Sequence, residues 1–155
     1  MATTTAAQQR ELAKGRYDAF LATCPSRQLF ERLSDKWVGL VLCALGGGAA
    51  GPGVEAAGGP RPLRYSELAR TLAGVSPKML TQTLRSLERD GLVARTVTPT
   101  VPVTVTYEAT ELGLSLHTMV RGMKTWAETH MDDVLASRAA HDAQADRPDR
   151  PGSAP

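Results

Sequence analysis

Ser76 and Pro77 stand side by side, and that pair constrains the chain more than any other two residues. A serine hydroxyl at an N-cap accepts from backbone N–H groups that the first helical turn leaves unpaired. A proline directly after it has a helical φ and no N–H to satisfy. The pair predicts a helix running to Arg89, stopped by Asp90 and Gly91. Within it Leu80, Leu84 and Leu87 recur on one side, while Lys78, Thr81, Gln82, Arg85 and Arg89 fall on the other. One face is built for a core and the opposite face for a polar, basic surface.

The neighbouring segments fix the context of this helix. Ser66 is placed to cap a helix from Glu67 to Ala73, with Leu68 and Leu72 four apart and Gly74 ending it. Downstream, Leu92 to Val97 is β-branched, and Val101, Val103, Val105 and Tyr107 alternate with polar residues, so a hairpin is expected. Upstream, a helix is expected over Gln8 to Ala22, a short one capped by Ser26 through Leu33, and an apolar one from Asp35 to Leu45. Thr110 should cap a long helix from Glu111 to about Met131 with an apolar stripe through Leu116, Met119, Met123 and Trp126.

Helix, short glycine-containing turn, polar-faced helix and hairpin make the order of a winged helix-turn-helix, in which the first helix braces the second in a DNA major groove. The expected fold class is α+β, mainly α, with terminal helices for dimerisation. Residues 1–23 would form a helical arm, 24–110 the winged domain with a flexible loop at 46–60 and a wing at 92–109, 111–136 the dimerisation helix, and 137–155 a disordered tail. The loop reading rests on the Gly, Ala and Pro of that segment.

Lys and Arg total 18 against 16 Asp and Glu, so bulk charge alone does not point to nucleic acid. Between Arg61 and Arg95, however, seven basic residues face three acidic ones. Arg64, Ser76, Lys78, Thr81, Gln82, Arg85 and Arg89 are the candidate contacts to double-stranded DNA, Gln being suited to adenine and Arg to guanine. Gln82 and Arg85, at mid-helix, are expected to read bases, and Arg64 and Arg89 to hold phosphates.

Several other chemistries find no support. The sequence holds no Gly-rich phosphate loop, H-E-x-x-H or G-x-S-x-G, so neither catalysis nor a cofactor is expected. His117, His130 and His141 lack Cys or carboxylate neighbours at metal-ligand spacing and read as packed or solvated. No apolar run is long enough to span a membrane and the first ten residues lack a secretory pattern, so a cytoplasmic protein is expected. Trp37 and Trp126 read as packing residues. Cys43 sits in an apolar run as a core thiol. Cys24, before Pro25 at a helix start, is a redox candidate, with a packed, unreactive thiol as the open alternative.

Cys24-Pro25, Asp35-Lys36-Trp37, the run from Val75 to Val93, Pro99 and Pro102, Tyr107 to Gly113 and Trp126 together resemble the HxlR family of MarR-like regulators. The resemblance covers Cys24 to His130 apart from the 46–60 loop. It implies a homodimer built by terminal helices on an inverted-repeat operator, with an oxidant or a small effector as the signal. The loop is longer than the family pattern, and the wing from Thr98 to Val103 carries no Lys or Arg. A winged-helix module that binds protein or ligand without specific DNA binding is the alternative.

Overall fold

The computed structural model describes residues 5–47 and 58–146; most of the segment expected as a flexible loop lies outside them. Thr5 and Gln8 close a reciprocal capping box that starts α1 (Ala6–Thr23), none of whose residues is buried. Pro25 takes the first position of α2 (Pro25–Leu33), which moves the cap two residues back from Ser26 to Cys24. Asp35 caps α3 (Lys36–Leu45), its Oδ1 accepting from Trp37 N–H at 2.9 Å. Val41, Leu42 and Leu45 are fully buried there.

A two-residue strand, β1 (Leu63–Arg64), precedes α4 (Tyr65–Thr71). This helix starts earlier than expected. Ser66 lies inside it, and Glu67 does the capping by accepting from Arg64 N–H at 2.7 Å. Gly74, at φ +91, makes the turn into α5 (Pro77–Arg89). Strands β2 (Val93–Thr98) and β3 (Thr104–Ala109) pair antiparallel with Arg95 opposite Tyr107, and β1 adds to the far edge of β3. Val101 and Val103, expected in a strand, belong to the exposed connection between them.

Helix α6 (Glu111–Ala145) is longer than expected, and residues 137–145, read from the sequence as disordered tail, are its last turns. The absence of apolar period there correctly signals the absence of burial, but Ala-rich sequence keeps a high helix propensity without it. The leucines of α5, Leu68 of α4, Val93 and the packed side of α3 form one core, closed by Leu116 and Val120 of α6. Leu116 is only 8% exposed and packs inside its own chain, which removes it from the stripe expected at a dimer interface. His117 is buried beside it, against Gly46, where any Cβ would collide with the imidazole.

Candidate nucleic-acid interface

The second helix of the pair is held in place at both ends. At its start Ser76 Oγ accepts from Met79 N–H at 3.1 Å, and the Tyr65 hydroxyl donates to the Pro77 carbonyl at 3.1 Å, tying α4 to the first turn of α5. At its end Gly91, at φ +73, closes a Schellman motif. Gly91 N–H donates to Glu88 O at 3.1 Å and Leu92 N–H to Leu87 O at 2.9 Å, with both leucines buried. Arg32 of α2 reaches Asp90 at this same corner, at 3.2 Å.

Between these anchors the helix divides as its sequence dictates. Leu80, Leu84 and Leu87 are buried, and Lys78, Gln82, Arg85 and Arg89 are exposed on the other side, with Thr81 half-buried between. Among the described residues, none of these cations forms an ion pair. Ser76 is exposed at the cap, and Arg64 is exposed at the entry to α4. Two guanidinium groups, an amide and an ammonium thus project from one rigid rod with no internal claim on them.

Sequence reasoning counted Arg95 only as charge. The structure places it on β2 beside Thr81 and Arg85, where they share a cleft of about 370 Å³ with Glu88 and Tyr107. The signal was available in the strand period, since the register that sets Arg95 opposite Tyr107 directs both toward one face. Glu88 makes this cleft mixed in charge rather than a simple anion cradle.

The remaining candidates lie elsewhere. Met119, Met123 and Trp126 are exposed on α6, and Cys24 is half-exposed at the cap of α2. The backbone N–H groups of Arg27 first, then Ser26, favour the thiolate and hold the Cys24 thiol below its ordinary value. Burial pushes the Cys43 thiol up. No cluster of three metal-ligating side chains occurs among the described residues, and no described helix is long and apolar enough to cross a membrane.

A braced, basic-faced second helix followed by an antiparallel hairpin defines a winged helix-turn-helix protein. Residues 54–134 match the family model for the HxlR-like helix-turn-helix. YtfH of Escherichia coli, an uncharacterised HTH-type transcriptional regulator, is 36% identical over 119 residues, covering 77% of this chain and 84% of its own. The solved structure of a transcriptional regulator YtfH from Salmonella typhimurium superposes with a TM-score of 0.62 at 36% identity, over 77% of this chain and 96% of that one. The redox regulator HypR in its reduced form gives 0.61 at 30% identity, over 73% and 99%. The chain belongs to the HxlR-like family of MarR-like transcriptional regulators, and it is not an enzyme.

Proposed function

We propose that the chain regulates transcription as a homodimer that binds an inverted-repeat DNA operator through α5, with Gln82 and Arg85 on base edges. The observation that carries this reading is the clean division of α5, three leucines in the core and four long polar side chains exposed on the opposite side. Arg64 and Arg89, together with Ser76, Lys78 and Thr81, hold the backbone, and Arg95 adds a phosphate contact from the hairpin stem. Because the wing tip carries no Lys or Arg, that stem residue supplies the basic contact of the wing.

A mobility-shift titration on the DNA upstream of the gene tests the assignment. Gln82→Ala and Arg85→Ala should each weaken specific binding by about 1–3 kcal/mol. Arg64→Ala and Arg89→Ala should reduce the salt slope by about one unit each and leave sequence preference unchanged. Parent-like binding by both mid-helix variants would remove α5 from the groove, and no specific shift for the parent would leave a protein-binding module as the better account.

The regulatory signal on this reading is oxidation of Cys24, supported by its favoured thiolate and partial exposure. An oxidant such as a quinone takes two electrons and two protons from two Cys24 thiols, one per protomer, to leave a disulfide and a hydroquinone. Brief iodoacetamide treatment at neutral pH should label Cys24 well ahead of Cys43 by peptide mass spectrometry, and Cys24→Ser should keep operator binding in the presence of the quinone. Equal loss of binding by parent and variant sinks the thiol switch.

A further inference from the structure

From Thr96 to Tyr107 no side chain carries a charge, although β2 is an edge strand of the sheet and its far end is exposed. Folded sheets blunt such an edge with lysine, with inward-pointing charge or with proline. This one uses proline alone. Pro99 and Pro102 bracket the connection between β2 and β3 and offer no N–H to an added strand. Between and beside them Val101 is fully exposed, and Val97 and Val103 are exposed as well.

The polar groups of this tip turn inward. Thr100 N–H donates to the Thr98 carbonyl at 2.8 Å, and the Thr100 hydroxyl donates to the Pro102 carbonyl at 2.8 Å and lies 3.1 Å from the Thr104 hydroxyl. What the tip presents outward is methyl groups and proline rings. Register gives this surface its place. Arg95 pairs with Tyr107, and both line the cleft shared with Thr81 and Arg85 of α5. Two residues further out, about 7 Å along the strand, the same face carries Val97 opposite Val105. The valines therefore continue the α5-facing side of the hairpin beyond Arg95. With α5 in a major groove and Arg95 on the bordering phosphates, the next surface that the hairpin meets is the adjoining minor groove, about 6 Å wide and walled by deoxyribose.

We propose that the tip around Val101 and Val103 packs into the minor groove adjoining each α5 half-site, and that it selects DNA there by how readily that groove widens. The inference rests on the operator reading above. Lysine or arginine at such a position gains from the negative potential of a narrow A-tract groove. Valine gains nothing from that potential and needs the sugar walls to part, which deformable pyrimidine–purine steps such as TA allow most readily. The tip then adds affinity without releasing counterions, while Arg95 at the stem keeps the electrostatic contact.

Mobility-shift titrations of the full chain over a range of salt concentrations test this. Val101→Thr/Val103→Thr keeps the shape and removes two methyl groups from the contact. It should weaken operator binding by about tenfold at every salt concentration, with the salt slope and the melting temperature unchanged. Val101→Lys should raise the slope by about one unit, because a cation at the tip then meets phosphate. Operators with a TA step in the adjoining minor groove should bind the parent about fivefold more tightly than operators with an A-tract there, and Val101→Lys should abolish or reverse that preference. Parent-like affinity in the threonine variant, or an unchanged slope in Val101→Lys, would overturn the proposal while leaving α5 in its groove. A parent that prefers the A-tract would do the same. So would a smaller sedimenting mass of the threonine variant without DNA, which would make the tip a contact between copies. No specific shift by the parent at all would remove the operator reading and this proposal together.

Discussion

His117 shows how much one residue's setting can decide. It is 5% exposed, its Nε2 has no partner among the described residues, and burial first, then the positive charge of Arg121, hold its pKa below the ordinary value of 6.5. The folded chain therefore prefers the neutral ring. As pH falls below about 6.5 the unfolded chain takes up a proton that the folded one resists, so stability declines through that window and levels off once the buried ring also protonates. Thermal melts between about pH 7 and 5 should show a steeper loss for the parent than for His117→Leu, which cannot titrate. Coincident slopes would mean that other groups set the acid sensitivity. Nothing in the sequence near His117 announced this burial, because it depends on Gly46, some seventy residues away, allowing the ring to sit against the backbone.

At the scale of elements, Thr110 joins three of them. Its hydroxyl accepts from Gly113 N–H at 3.1 Å to cap α6 and donates to Gly91 O at 2.7 Å, while its N–H donates to Leu92 O at 3.1 Å. The end of α5, the start of the hairpin and the start of the long helix therefore share one side chain. Thr110→Val keeps the shape and loses both hydroxyl bonds, and urea unfolding should show about 0.5–2 kcal/mol of destabilisation, largely restored in Thr110→Ser. A Val variant as stable as the parent would make the cap dispensable. The starts of α5 and α6 were legible in the sequence for this reason: Ser76 and Thr110 each accept from a backbone N–H three residues ahead, whereas Asp35, read as the first residue of α3, is its cap and accepts from the N–H two residues ahead. The start of α4 was misread because Ser66 and Glu67 compete for the same role, and β1 was invisible because two residues carry no period. Among the proposed DNA contacts, the period of α5 separated its exposed from its buried side, while Arg95 needed the strand period read together with a hairpin folding back beside that helix.

For the whole molecule, the dominant fact is that two helices remain largely uncovered. None of α1 is buried, and on α6 every described residue after Val120 is exposed except Ala127, which is partly covered. Leu12, Tyr17 and Phe20 on the arm and Met119, Met123 and Trp126 on α6 are large apolar groups left in water by a single chain. The periodic stripe of α6 was readable from sequence, but not that Leu116, at its upper end, would be taken by the chain's own core. A second copy covering the remainder would place two α5 helices about 34 Å apart and call for half-sites one turn apart. Sedimentation should show a dimer for the parent at micromolar concentration. The Met123→Glu/Trp126→Glu double variant should sediment as a folded monomer with greatly reduced operator affinity. A dimer that survives both changes would lie on another surface.

The 35 residues of α6 make a rod about 52 Å long, seated in the domain over only about its first three turns. Such a rod is a lever whose fulcrum is the corner where Thr110 meets Gly91 and Leu92. A tilt too small to disturb packing at the fulcrum grows in proportion to distance, so the far turns swing widest. Run in reverse, a grip on those far turns has the greatest mechanical advantage over the angle at the corner where α6 meets the end of α5.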